Sequence, residues 1–248
     1  MISCFDVCED GVLLQLILPV VSSWIYPMWI FVGFLGMIVA NVFRRERFGY
    51  SIWKSILLTT LTEAYSIFGA WILYCLENTS KFPSRGFSFF GVLFFMPLFY
   101  YATCLFNFKK AYKVLNYVLL PVPLELAFIR IACTINGCCY GILSDCGIQY
   151  ENVIRFPVQI LEAFFDLTIF VGLLLYEKRG KLKINNLSLF FVLYSAVRFG
   201  CEFLRADPSV GLFGFRNGFV YSVFLFVVGL ALVITEILYR RKKSNISA

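Results

Sequence analysis

The sequence predicts an all-α integral membrane protein of about seven transmembrane helices, with the N-terminus outside and the C-terminus in the cytoplasm. Of the 248 residues, 60% are hydrophobic, 19% aromatic and only 15% charged, a balance that a soluble domain of this size cannot hide from water. Apolar runs of roughly 20 residues, the length needed to cross a bilayer, recur along the chain. Basic residues gather in short clusters on every second connection between those runs. Together these features predict one polytopic membrane domain over residues 1–248, made of an outer-face segment (1–23), a seven-helix core (24–239) and a basic cytoplasmic tail (240–248).

Taken in order, Gly11 to Val21 is apolar but too short to cross, and predicts an interfacial helix, lying along the outer surface or packed on the bundle, that stops before Ser22 and Ser23. The first residues carry Asp6, Glu9 and Asp10 and no Lys or Arg, the wrong sign for the start of a cleavable signal peptide, so no removal is expected. The first span, 24–43, begins near Tyr26 and ends on Arg44, Arg45 and Arg47, with Lys54 ahead of the second span, 55–76. The third, 88–106, ends on Lys109, Lys110 and Lys113; the fourth, 114–134, is interrupted by Pro121 and Pro123. The fifth, 157–176, is followed by Lys178, Arg179, Lys181 and Lys183. The sixth is 186–204, and the seventh, 218–239, ends on Arg240, Arg241, Lys242 and Lys243. These four clusters hold 15 of the 22 Lys and Arg and mark the cytoplasmic side, which makes the number of spans odd. They read as topology signals and lipid-headgroup contacts.

Lys81, Arg85, Arg130, Arg155, Arg198, Arg205 and Arg216 remain, in or bordering the outward half. A cation so placed must be paired or must bind something. In the sixth span Tyr194, Arg198, Glu202 and Arg205 fall within roughly 80° of one another at about 100° per residue, a polar stripe that cannot face lipid. Arg198 and Glu202, four residues apart, can pair. The pair reads either as a buried structural bridge or as a guanidinium held ready for a phosphate or ester oxygen, with part of its donor fork left open. Arg130 lies near the outer end of the fourth span, where Asn136-Gly137-Cys138-Cys139-Tyr140-Gly141 makes a glycine-punctuated turn. Two arginines on one side suit an anionic headgroup.

Other features exclude more than they propose. The net charge of +7 is spread in clusters between apolar runs rather than along one wet face, which excludes nucleic acid as a partner. No Gly/Pro-broken helices recur in two halves, as a transporter would require. The spacing Cys133-x4-Cys138-Cys139-x6-Cys146 is not a common zinc spacing, and no metal is expected. A disulfide from Cys146 to Cys138 or Cys139, implying an oxidising exterior, stands beside the alternative of small apolar packing residues. Glu63, Glu125, Glu162 and Asp166 lie within or beside spans, where helix-to-helix hydrogen bonding is expected of them.

Several of these segments, in order, resemble the prolipoprotein diacylglyceryl transferases, seven-span bacterial enzymes. Arg130, Asn136-Gly137 and Gly141 stand at the places of the family signature; Tyr194 to Pro208 is similar to its Tyr-x-x-x-Arg-Phe-x-x-Glu-Phe-x-Arg helix and following turn. Phe156 to Ala163 resembles its Pro-x-Gln-Leu-Tyr-Glu segment, and Gly86 to Gly91 its Gly-Met-Ser-Phe-His-Gly. The resemblance implies transfer of diacylglycerol from phosphatidylglycerol to the lipobox cysteine of a preprolipoprotein signal peptide, in the bacterial cytoplasmic membrane, without metal or other cofactor. It implies catalytic roles for Arg130, Arg198 and Glu202. Substrate contacts are implied for Tyr194, Asn136, Gly137, Gly141, Arg205, Glu162 and Gln159, and for Tyr26 because the family has a functional tyrosine nearby. Glu202 is expected to be the matched carboxylate nearest both arginines. Phe90 stands where the family has histidine, Cys133 where it has asparagine and Cys138 where it has an acidic residue. The chain contains no histidine at all. A catalytically silent or acceptor-altered paralogue that binds anionic phospholipid is therefore the alternative reading.

Overall fold

The computed structural model of the chain describes residues 18–77, 87–150, 152–179, 184–206 and 216–246. Along them run α1 (Leu18–Phe48), α2 (Ile52–Glu77), α3 (Phe89–Thr103), α4 (Phe108–Val118) and α5 (Val122–Asn136). A hairpin follows, of β1 (Leu143–Tyr150) and β2 (Val153–Arg155), then α6 (Val158–Lys178), α7 (Asn186–Glu202) and α8 (Asn217–Ile246). Four stretches are long and apolar enough to cross a membrane: Pro27–Phe48, Ile52–Glu77, Val158–Lys178 and Asn217–Lys242. The pair α4 and α5 makes a fifth when counted as one span bent by 49°.

Three expectations need correction. No boundary separates an interfacial helix from the first span, because α1 runs unbroken from Leu18 through Ser22 and Ser23; residues 11–17 lie outside the described residues. Two serines disfavour a helix by only about half a kcal/mol each, too little to end it. The span expected at 114–134 is two helices. Pro121, in the break, has no N–H to donate and its ring would strike the preceding turn, so the helix ends at Val118, capped by Leu119, and a new one starts at Val122. Nor is the chain wholly α. β1 and β2 pair antiparallel across a turn in which Asn152 has φ 66°, and a Cβ on Gly147 would fall 2.0 Å from the Arg155 carbonyl oxygen. β2 has only three residues, and β1 is largely polar with a single β-branched residue, Ile148, so the stretch does not announce itself as a pair of strands.

The contacts define two compact units. The first comprises Met1–Gly33, Pro123–Gly172 and Phe191–Leu230; the second comprises Phe34–Val122, Leu173–Phe190 and Ala231–Ala248. In the first, Gly33 packs where a Cβ would stand 3.2 Å from the Glu125 Cα, and Trp29 stacks on Phe128 at 5.8 Å. In the second, Arg44 is buried instead of serving the headgroup region as its cluster suggests. Its Nε and Nη2 donate to the two Glu177 carboxylate oxygens at 2.8 and 2.6 Å, and its Nη1 to Asn41 Oδ1 and the Tyr117 carbonyl. Asn186 Nδ2 adds a bond to Glu177 at 2.6 Å. A guanidinium saturated in this way is a packing strut. Also in the second unit, Gly69 of α2 and Gly91 of α3 touch backbone to backbone: a Cβ on Gly91 would lie 2.2 Å from the Gly69 carbonyl oxygen. Thr62 and Tyr100 hydroxyls join the same two helices at 2.6 Å, and Phe90 is buried in this unit.

Candidate functional site

The polar stripe of α7 is inward, as its composition requires: Tyr194, Arg198 and Glu202 are all buried. Arg198 Nη2 pairs with Glu202 at 2.5 Å across one helical turn. Arg205 does not continue the stripe on the helix, because α7 ends at Glu202. It sits in an extended segment that bridges Gly141, with Ile142 N–H donating to the Leu204 carbonyl at 2.9 Å and Ala206 N–H to the Tyr140 carbonyl at 3.2 Å.

The hub of the cluster is Glu162, on the first turns of α6. Its Oε1 accepts from Arg198 Nη1 at 2.7 Å and from Arg205 Nη1 at 3.3 Å, while its Oε2 pairs with Arg130 Nε at 2.9 Å. Glu162, and not Glu202, therefore joins Arg130 to Arg198. Both terminal nitrogens of Arg198 already engage carboxylates, so the guanidinium is clamped on two sides, where the sequence had suggested a fork left partly open. Arg130, Glu162, Asp166, Tyr194, Val197 and Arg198 line one small pocket.

Arg216 completes the group. Its Nη1 donates to the Arg205 carbonyl at 2.6 Å, its Nη2 to the Glu202 carbonyl, and its Nε stands 3.7 Å from Glu202 Oε2. Its signal in the sequence was its sign, a cation among the outer segments. Glu202 is held from a further side by α8, where a Cβ on Gly218 would lie 2.1 Å from Glu202 Oε1, so only glycine lets the carboxylate approach the positive end of that helix. Four arginines thus surround Glu162 and Glu202, and the cluster stays cationic even with Asp166 ionised. That surplus suits a phosphate.

Beside the cluster, α5 ends in a motif that the sequence displays without advertising. Gly137, at φ 68°, is the left-handed cap; its N–H donates to the Thr134 carbonyl at 3.3 Å, and Cys138 N–H donates back to the Cys133 carbonyl at 3.1 Å. This cap brings the residue after the glycine over the third residue from the helix end, which here puts Cys138 over Cys133. Cys139 is itself left-handed, φ 59°, and turns its side chain to the same place. The Sγ atoms of Cys133, Cys138 and Cys139 lie within 4.8 Å of one another. Hydrogen bonds from the other two thiols, aided by Arg205 and Arg130 and opposed by burial, hold the Cys139 thiol well below the ordinary thiol range. Cys138, Cys139 and Cys146 are thiols in this structure, so the disulfide considered from the sequence is not formed.

Gln159 pins this loop: its Nε2 donates to the Cys138 carbonyl at 2.8 Å. Gly141 is wedged so that a Cβ would meet the Phe156 carbonyl at 2.4 Å and the Leu204 carbonyl at 2.8 Å, a reason for glycine that lies in the protein's own backbone. Asn136 is exposed at the last residue of α5. The fold thus gathers Arg130, Glu162, Tyr194, Arg198, Glu202 and Arg205, with Gly137 and Gly141 in the adjoining loop, Asn136 at the end of α5 and Gln159 on α6. The Tyr26 side chain lies outside the described residues.

The comparisons agree with one another. The family model for prolipoprotein diacylglyceryl transferase matches residues 12–235. Phosphatidylglycerol–prolipoprotein diacylglyceryl transferase 2 of Clostridium perfringens is 32% identical, over 89% of this chain and 94% of its own. The phosphatidylglycerol–prolipoprotein diacylglyceryl transferase of Campylobacter lari is 30% identical over 84% of this chain and 74% of its own, and that of Clostridium tetani 24% over 83% and 90%.

Proposed function

The chain belongs to the prolipoprotein diacylglyceryl transferase family, and from that premise we propose how its arginine cluster performs the transfer that its relatives' names describe. Phosphatidylglycerol is the donor, and the acceptor is the thiol of the lipobox cysteine in a preprolipoprotein signal peptide. The observation that carries the reading is the cationic cluster centred on Glu162.

Phosphatidylglycerol is already an activated donor, because its leaving group is a glycerol phosphate. The work left to the protein is to hold the phosphodiester and to stabilise the second negative charge that develops when the carbon–oxygen bond breaks. Arg130, Arg198 and Arg205, fixed in place by Glu162, meet that negative charge with positive charge already in position, without having to reorganise. Glu202 fixes the other side of Arg198, and Tyr194 and Asn136 add hydrogen bonds to headgroup or ester oxygens. Gln159, Gly137 and Gly141 shape the loop against the lipid, and Tyr26 contributes at the outer interface. The lipids enter sideways between helices.

The same reading assigns a single multi-pass domain in the bacterial cytoplasmic membrane. Counting the bent pair once and adding the shorter apolar α3 and the 17-residue α7 gives the seven spans of this reading, with the N-terminus outside; the basic clusters support that orientation.

The test supplies purified protein with phosphatidylglycerol and a lipobox-cysteine peptide, and follows glycerol phosphate release and peptide mass. The peptide should gain one diacylglyceryl group. Arg198→Ala should abolish the gain in protein that still inserts, and Arg198→Lys should reduce it at least tenfold, because an ammonium cannot reproduce a fork clamped by two carboxylates. Full activity in Arg198→Ala would overturn the assignment. Phospholipid binding with neither product would turn the reading to a silent or acceptor-altered relative.

A further inference from the structure

The acceptor reacts through sulfur, and a cysteine thiol with an ordinary pKa of about 8.5 is only a few per cent thiolate near neutral pH. This chain has no imidazole to take the proton. Within the arginine cluster, the carboxylates of Glu162 and Glu202 are already engaged by guanidinium groups. Beside that cluster lie three thiols that the transfer, as described so far, does not use.

We propose that Cys133, Cys138 and Cys139 bind a zinc ion through three thiolates, and that the fourth position of the ion receives the sulfur of the acceptor cysteine and holds it as a thiolate. This inference rests on the transferase reading above and adds the means of activating its acceptor.

Four features carry it. The spacing fits, since sulfurs bound to one zinc at about 2.3 Å and tetrahedral angles stand about 3.8 Å apart, and the three Sγ atoms already lie within 4.8 Å of one another. The placement is built into the backbone: the glycine cap of α5 sets Cys138 over Cys133, the left-handed Cys139 turns inward, and Gln159 anchors the Cys138 carbonyl. The ligand number is that of a reactive site. Among the described residues no fourth Cys, Asp or Glu joins the group, whereas a closed structural zinc takes four protein ligands and a catalytic one takes three plus an exchangeable ligand. Exposure agrees, with Cys133 buried as the anchor and Cys138 and Cys139 half-buried on the approach side. Three thiolates on a divalent ion carry a net negative charge, which Arg130 and Arg205 offset.

The acceptor's S–H binds the ion and releases its proton to water, a coordinated thiol being deprotonated outright. A sulfur lone pair then attacks the terminal glyceryl carbon of the diacylglycerol moiety. The bond from that carbon to the phosphate oxygen breaks, and its electron pair leaves on glycerol phosphate. The lost proton balances the second charge that the phosphate gains, which the arginines hold. The thioether product is a weak ligand and dissociates.

The full-length protein in detergent, reduced and stripped of metal, is titrated with Cd2+, whose thiolate complexes absorb in the ultraviolet. A band that saturates at one equivalent is expected, lost in Cys133→Ser and in Cys139→Ser and retained in Cys146→Ser and Arg198→Ala. The lipobox peptide should raise the band by about a third, for a fourth thiolate. Transfer should fall at least a hundredfold in stripped protein and return with Zn2+. Transfer that proceeds undiminished in protein binding no Cd2+ would overturn this inference and leave the transferase reading intact. Stoichiometric metal with no transfer by the zinc-loaded protein would overturn the transferase reading, and the acceptor role with it.

Discussion

Glu162 carries more than its single charge suggests, because three guanidinium groups are aimed by it. Glu162→Gln removes the counter-charge and leaves buried like charges facing one another. The expected result is loss of about 3 kcal/mol of stability and at least a hundredfold lower transfer, read by thermal unfolding in detergent and by peptide mass. Gly218→Ala is a subtler probe. The added methyl must displace the Glu202 carboxylate from a position 2.1 Å away, so turnover should drop about tenfold while lipid binding changes little, a split seen by comparing kcat with KM. Arg130, Arg198 and Glu202 were legible in the sequence because charge inside an apolar run is costly and because a spacing of four on a helix is a contact. The central place of Glu162 was not: its bond to Arg198 spans 36 residues of sequence, a distance that only tertiary packing closes.

At the scale of the element, the end of α5 shows how a cap can do chemical work. Gly137→Ala forces a side chain into φ 68° at a cost of about 1–2 kcal/mol, and sets its methyl 3.4 Å from the Tyr150 ring. The melting temperature should fall, and so should the yield of a short bifunctional thiol cross-link between Cys133 and Cys138; an unchanged yield would mean that the cap does not set the pair. In the sequence, Asn136-Gly137 announced a turn. It did not announce that the turn would fold Cys138 back on Cys133, since that follows from the hydrogen bonds of the cap and not from any zinc-like spacing. The interruption at Pro121 was visible in the sequence; that it ends one helix and starts another, bent by 49°, was not. The β1–β2 hairpin, short and partly polar, depends on backbone pairing with no hydrophobic period to betray it.

For the whole molecule, composition and charge alternation were sufficient to identify a multi-pass helical protein, because the bilayer leaves few other ways to satisfy a backbone. Arg44 shows where charge counting fails: a residue in a basic cluster can equally be a strut, and only its burial against Glu177 tells the two apart. The seven-span reading predicts that a reporter fused after residue 246 is active in the cytoplasm and that one fused ahead of α1 is active outside. Both on one side would require an even number of spans. The contact of Gly69 with Gly91 bears on how such a chain can change over time. Each position tolerates only hydrogen because the other's carbonyl occupies the space. A mutation at either is exposed to selection at once, and no compensating change at its partner can rescue it, since glycine is already the smallest residue. This pair of positions is therefore expected to stay fixed while the surrounding phenylalanines drift.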